Sequence, residues 1–138
     1  MVDIVFTVPN MTGGAVTVSA TVIYGTEHSN ERINQVSQRT LDGYRNTWDS
    51  GVTIVSTMLK LKNLSKTDGD ALRTWLRTKA VFSLKYFTIT TPDGVDLGLG
   101  EGTDITDAKF TATNDSAVFA YRAPGVFDVN FPFEFVRV

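Results

Sequence analysis

Apolar and polar residues alternate strictly near the C-terminus of the chain, in the segment VFDVNFPFEFVRV from residue 126 to 138. Every second position there is apolar: Phe127, Val129, Phe131, Phe133 and Phe135. Because successive side chains of a strand point to opposite faces, this pattern predicts a β-strand with one buried face. Pro132 lacks the amide hydrogen that a ladder bond requires, so we expect an edge strand or a bulged strand.

The same period of two occurs in two runs at the N-terminus. The first run spans Val2 to Val8, and the second spans Ala15 to Tyr24. Gly13 and Gly14 lie between the runs and favour a turn, so the sequence predicts a hairpin or two neighbouring strands. The polar segment from Gly25 to Gln38 follows, and we expect it to form a long loop or a short surface strand.

Helical spacing occurs between Asn63 and Ala80. The apolar positions of this segment form one stripe at intervals of three and four residues: Leu72, Trp75 and Leu76. Ser65 is placed to cap the helix, with Asp68 three residues later in the positively polarised first turn. The sequence therefore predicts one amphipathic α-helix over about residues 65–80.

Further strands are predicted on both sides of this helix. Val52 to Lys62 precedes the helix and Val81 to Thr90 follows it, and two shorter strands are predicted at Ala108 to Thr113 and Ala117 to Tyr121. With about seven strands separated by short turn signals, we expect a mainly β fold, either a β-barrel or a β-sandwich. Residues 1–138 are predicted to form a single domain, with the helix plugging one end or covering one face.

Composition and charge narrow the functional classes. The 138 residues are 42% hydrophobic, which suffices for one core. There is no cysteine, which excludes disulfides and thiolate chemistry. The net charge is −2 and the thirteen Lys and Arg residues are scattered, a distribution that does not predict a nucleic-acid interface. No apolar run reaches the roughly 18 residues of a membrane span. From the charge distribution and the absence of such a run, we expect neither nucleic-acid nor membrane partners.

Three features of the sequence are candidates for chemistry. His28 is the only histidine and has no identifiable triad partner, so an exposed loop position is favoured. Five carboxylates surround a glycine-rich segment and could offer oxygen ligands to calcium: Asp93, Asp96, Glu101, Asp104 and Asp107. Their spacing does not match the helix–loop–helix calcium motif, so a solvated acidic loop is favoured. Trp48 could form a sugar-binding platform, but a core position is favoured. We predict no catalytic, cofactor-binding or metal-binding residue.

Three segments occur in a characteristic order: QRTLDG from residue 38, LKNLSKTDGDALRTWL from residue 61, and KYFTITTPDG from residue 85. Through them, the region from Arg39 to Gly94 resembles small baseplate and tail-tip proteins of tailed bacteriophages, of the distal-tail or tail-hub type. The resemblance implies a β-barrel with one helix, assembled as a ring coaxial with the tail tube. It also implies a structural, non-catalytic role in the virion, with no cofactor and with assembly in the host cytoplasm.

The resemblance and the residues together give a hypothesis about partners. We expect contacts with further copies of the chain in a ring, such as a hexamer, and with neighbouring tail or baseplate proteins. The candidate interface residues lie in the polar segment and in the C-terminal strand: Glu31, Arg32, Ile33, Phe131, Phe133 and Phe135. The alternatives are a soluble β-sandwich that binds a carbohydrate or a calcium-dependent ligand, and a small hydrolase with paired carboxylates.

Overall fold

The computed structural model describes residues 1–23, 29–33, 36–39, 41, 43, 45–48, 52–95, 104–112, 114–115 and 118–137. The strands are β1 (Val2–Thr7), β2 (Ala15–Ile23), β3 (Ser29–Ile33), β4 (Val36–Arg39), β5 (Arg45–Trp48), β6 (Val52–Ser65), β7 (Phe87–Thr90), β8 (Asp104–Phe110), β9 (Phe119–Ala123) and β10 (Val126–Arg137). The α-helix α1 (Lys66–Trp75) continues directly into a π-helical segment (Leu76–Ala80).

Six of the strands close into an antiparallel barrel. Around the barrel the order is β6, β2, β1, β7, β8 and β10, and β10 pairs back with β6. The closing pair is long, because it extends from Val126 opposite Ser65 to Arg137 opposite Thr53. The fold is therefore mainly β, as predicted. Of the two predicted architectures, a β-barrel and a β-sandwich, the structure has the barrel.

The alternating pattern gives the barrel its apolar interior. The inward-facing side chains of β10 are buried, as the sequence predicts, and aromatic rings from neighbouring strands meet there. The ring centroids of Phe6 on β1, Phe87 on β7 and Phe131 on β10 lie 5.1–6.4 Å apart. Tilted and edge-on pairs at these distances are the arrangements that aromatic rings prefer.

The predicted helix is confirmed, together with its capping residue. The Ser65 hydroxyl accepts a hydrogen bond from the Asp68 backbone N–H at 3.2 Å. Trp75 lies 5.5 Å from Phe6 and 5.4 Å from Phe87 between ring centroids. Because these phenylalanines point into the barrel from β1 and β7, the helix plugs one end of the barrel, which we call the helix end.

The C-terminal strand differs from its predicted position in the sheet. β10 has β6 on one side and β8 and β9 on the other, so the prediction of an edge strand was wrong. The prediction of a bulged strand is confirmed, because the register with β6 shifts between Phe127 and Val129. Pro132 remains part of the hydrogen-bond pattern through its carbonyl, which accepts from the Thr111 N–H at 3.3 Å.

The segment after the helix also differs from the prediction. A strand was expected from Val81 to Thr90, but only Phe87–Thr90 is extended and residues 81–84 form a turn. Val81 and Phe82 have φ angles of 49° and 54°, in the left-handed region, which ends the helix and reverses the chain. The turn leaves the side chains of Leu84 and Tyr86 exposed on the surface. In a regular amphipathic strand, the side chains of one face would instead be buried.

Strand boundaries differ from the predicted ones elsewhere too. The polar segment expected as a loop or a short strand contains β3, which pairs with β6, and β4, which pairs with β5. The strand predicted at Ala108 to Thr113 begins earlier, at Asp104, and the strand predicted at Ala117 to Tyr121 begins later, at Phe119.

The β4–β5 hairpin forms a two-stranded sheet of its own. It lies in sequence between Ile33 and Val52, which face each other where β3 ends and β6 begins. The other end of β6 leads into the helix at Lys66. The hairpin therefore leaves the barrel at the end opposite the helix, which we call the hairpin end.

Candidate functional site

An apolar groove runs along the outside of the helix end. It has a volume of about 390 Å³ and lies between α1 and the start of β2. The lining combines small and apolar residues with polar and charged ones: Gly13, Ala15, Val16, Asp70, Ala71, Thr74, Trp75, Thr78 and Lys79. We call this feature the helix groove.

Two hydrogen bonds join the helix to the β1–β2 hairpin near the helix groove. The Trp75 indole N–H donates to the Gly14 carbonyl at 2.7 Å, and this bond is buried. The Asp68 carboxylate accepts from the Ser19 backbone N–H at 3.1 Å, which ties the first helical turn to β2. Because both bonds join the helix to the β1–β2 hairpin, the fold itself fixes the position of α1 against β2.

A second surface at the helix end consists of the turn after the π-helical segment. Leu84 is 65% exposed and Tyr86 is 53% exposed. The ammonium of Lys109 lies 4.4 Å from the centroid of the Tyr86 ring, in a cation–π contact. This surface was not predictable from the sequence, because the alternation after Val81 fits a strand as well as a turn.

A charged cluster joins the helix to the segment before β9. Arg77 Nε lies 2.8 Å from Asp115 Oδ2, and Arg73 Nε lies 3.9 Å from the same oxygen. The Arg73 guanidinium also stacks over Phe119, 4.9 Å from the ring centroid. These contacts hold β9 against the helix, so the cluster has a structural explanation.

A second polar cluster lies on the outer surface of β6. Asn63 has a φ angle of 63°, and its side-chain oxygen accepts from Arg122. Arg122 also pairs with Asp128 at 3.1 Å. These bonds join the β9–β10 hairpin to the irregular part of β6, and they too are explained by the fold.

The structure separates the predicted interface residues into two groups. Glu31, Arg32 and Ile33 lie on β3, which pairs with residues 52–54 of β6 and occupies the end of the strand order. Their strand thus has one edge without a ladder partner among the described strands. Such an edge can accept another strand, so this half of the interface prediction stays open.

The other predicted interface residues are inside the chain's own core. Phe131, Phe133 and Phe135 are at most 3% exposed. They line the barrel because β10 is a central strand, so the chain's own strands cover them. The period-two pattern shows that a face is buried but does not show by what, and a role of these residues at a subunit interface stays a prediction.

The candidates for chemistry divide between described and undescribed residues. Asp93 and Asp107 are described and exposed, and Asp104 is described only as the first residue of β8. His28, Asp96 and Glu101 are among the undescribed positions, and Trp48 is described only as part of β5. Among the described residues, no three His, Asp or Glu side chains are grouped so that they could hold a metal ion. No described helix has both the length and the apolar character needed to cross a membrane.

Comparisons with known proteins leave the family open. Neither a protein-family model nor a curated protein matches the chain. The resemblance to bacteriophage tail proteins therefore remains a prediction.

Proposed function

We propose that the protein is a structural subunit of a bacteriophage tail or baseplate, which assembles with further copies into a ring around or at the end of the tail tube. Its role is to hold neighbouring proteins in place rather than to catalyse a reaction. Its partners are copies of itself and adjacent tail proteins, and its location is the virion.

The observation that carries this proposal is the closed antiparallel barrel plugged by one helix. This is the architecture that the resemblance implies for the tail-ring proteins. A barrel closed by the β6–β10 pair keeps its shape without a partner. The subunit can therefore enter an assembly as a preformed unit.

Peripheral elements give such a unit the means to join its neighbours. β3 and β9 lie at the two ends of the strand order, outside the closed ring of strands. The β4–β5 hairpin is paired with no barrel strand among the described residues. Strand edges and unsupported hairpins are places where another chain can add backbone hydrogen bonds.

The test is the molar mass of the purified protein in solution, measured by multi-angle light scattering over a wide concentration range, with electron microscopy of the associated species. We expect a concentration-driven closed ring. A chain that stays monomeric throughout contradicts a self-assembling ring. Adding calcium or a chelator in parallel tests the binding-module alternative, because a calcium ligand would raise the melting temperature through mass action.

A further inference from the structure

The outer edge of β9 has no strand beside it among the described residues. β9 pairs with residues 126–129 of β10 and is the last strand of the eight-stranded sheet. The Val118 carbonyl, just before β9, accepts from the Asn130 N–H at 2.9 Å, so its backbone is directed toward β10. Because hydrogen-bonding direction alternates along an antiparallel strand, the backbone groups of Phe119 and Tyr121 are directed away from β10. They form an unpaired row of donors and acceptors.

The side chains of β9 leave this edge open and hold it in place. Natural edge strands are often protected by a projecting charge or a proline. The only charged residue of β9 is Arg122, and its guanidinium is held by Asp128 of β10 at 3.1 Å. Pro124 follows the strand and is not part of it. The guanidinium of Arg73 lies 4.9 Å from the centroid of the Phe119 ring and fixes the start of the strand, so little conformational freedom is lost on pairing.

The backbone of β3 has the second free edge. Ser56 of β6 pairs with Ser29 of β3 on one side and with Glu134 of β10 on the other. The side of β3 that faces away from β6 has no pairing partner among the described strands. β3 and β9 are each five residues long. The two edges therefore match in length.

β3 and β9 flank the pair of strands that closes the barrel. Val126 of β10 pairs with Ser65 of β6 and with Ala123 of β9, so β6 and β9 lie on opposite sides of β10. The strands β3, β6, β10 and β9 are thus adjacent in that order, and each pair is antiparallel. Because direction alternates across these strands, β9 runs opposite to β3. A second copy in the same orientation therefore brings its β3 antiparallel to β9, which is the more stable of the two pairings.

The two edges of one chain cannot pair with each other. Glu31 of β3 pairs with Ile54 of β6. Tyr121 of β9 pairs with Phe127 of β10, which lies opposite Leu64 of β6. From Ile54 to Leu64 an extended strand spans roughly 34 Å, and both β6 and β10 lie between the edges. A strand β3 that covers β9 must therefore come from another molecule.

We propose that β9 of one copy pairs antiparallel with β3 of a second copy, so that one sheet continues from each subunit into the next. This inference rests on the proposed ring and names its contact. Full overlap of the two strands places position 120 opposite position 32. The two edges are different surfaces of the chain, and contacts of this kind close into rings or continue as filaments.

Cysteine cross-linking tests the contact directly, because the chain contains no cysteine. The double variant Ala120→Cys/Arg32→Cys carries one thiol on each edge, and a short bis-maleimide is expected to link it into a ladder of covalent oligomers on a denaturing gel. Each single variant can give at most a dimer. Lys62→Cys/Arg32→Cys is the matched control, since Lys62 is exposed but lies on β6, a central strand, and this variant should give no ladder.

A backbone substitution gives an independent measurement. Tyr121→Pro removes the outward N–H and leaves the bonds between β9 and β10 in place, whereas Tyr121→Ala loses the same aromatic ring but keeps the N–H. We expect the proline variant to self-associate about tenfold more weakly than the alanine variant, as measured by light scattering. Circular dichroism of both variants checks that the barrel is folded.

The outcomes separate this inference from the proposed function. If the wild type forms rings but the Ala120→Cys/Arg32→Cys variant links no better than its control, the contact is wrong and the ring stands. Equal association of the folded proline and alanine variants also contradicts the contact. A ladder from a protein that forms only open, growing chains supports the contact and contradicts the ring. A wild type that stays monomeric, with no ladder from the double variant, contradicts both.

Discussion

The Thr57 hydroxyl is an unusual group for the interior of this barrel. Thr57 is 7% exposed, and its oxygen has no hydrogen-bond partner among the described residues. We expect Thr57→Val, which keeps the shape and removes the hydroxyl, to raise the free energy of unfolding by about 1 kcal/mol. The measurement is the urea midpoint at unchanged m-value.

Thr91 provides the matched control for Thr57. It is also buried, at 3%, but its hydroxyl donates to the Val95 carbonyl at 2.7 Å. Thr91→Val is therefore expected to lower the free energy of unfolding by about 1 kcal/mol. If the two substitutions shift the midpoint in the same direction, the Thr57 hydroxyl has a partner after all.

The identity of Gly69 on α1 is explained by the close approach of the Phe127 ring. Glycine inside a helix costs about 1 kcal/mol relative to alanine, so helix propensity alone favours Gly69→Ala. A Cβ at this position would lie 2.7 Å from Cδ2 of Phe127, however. Because overpacking costs about 1–3 kcal/mol, we expect Gly69→Ala to lower the free energy of unfolding by about 1 kcal/mol.

A double-mutant cycle separates the two contributions at Gly69. In a Phe127→Val background the contacting ring atoms are gone, so Gly69→Ala should raise stability there by up to about 1 kcal/mol, as helix propensity requires. The same loss in both backgrounds would show that the contact with Phe127 does not explain this glycine.

At the scale of the element, the end of the helix shows what the sequence pattern left undetermined. The start was predictable, because Ser65 and Asp68 form a recognisable cap and Leu72 and Trp75 follow the helical period. The end at Ala80 also agrees with the prediction, but the turn after it was not predictable, because the residue in the left-handed conformation is a valine where glycine is usual. The strands were predictable too, because each shows a local alternation of apolar and polar residues. Their pairing partners were not, since alternation shows that one face of a strand is buried but not which strand lies beside it.

The left-handed conformation of Val81 makes a prediction about backbone strain. An L-residue with a Cβ pays about 1–2 kcal/mol in this region, whereas glycine does not. We expect Val81→Gly to be about 1 kcal/mol more stable than Val81→Ala in chemical unfolding. Comparing glycine with alanine removes the common effect of losing the valine side chain.

Val136 is the control for this comparison. It is 50% exposed, close to the 37% of Val81, but it lies within β10. Glycine inside a strand is unfavourable through its greater freedom in the unfolded chain, so Val136→Gly should be about 0.5–1 kcal/mol less stable than Val136→Ala. The order of the two substitutions should thus reverse between the sites.

At the scale of the whole molecule, the barrel depends on contacts between distant parts of the chain. Its closure joins β6 with β10, whose paired residues range from Ser65 with Val126 to Thr53 with Arg137. The sequence showed that the C-terminal segment is core, but it could not show that β10 is central, because strand order follows from packing across the whole barrel. The helix groove was missed for the same reason, since its walls come from α1 and the start of β2.

The central position of β10 gives a prediction that distinguishes it from an edge strand. A chain ending at Asp128 loses Phe131, Phe133 and Phe135, and it exposes one side of β6 along residues 53–61. We expect this truncated chain to lose cooperative unfolding, as followed by near-ultraviolet circular dichroism and amide dispersion in NMR spectra.

A peptide of residues 126–138, added to the truncated chain, should restore the native signals by inserting between β6 and β8, since the same ladder and the same apolar face are then available. A peptide with Phe131 and Phe133 both replaced by serine keeps the backbone but loses two fully buried rings, and it should not restore them. A truncated chain that folds cooperatively alone would mean that β10 covers the barrel without completing it. Rescue by the serine peptide would mean that its backbone, and not its aromatic face, drives closure.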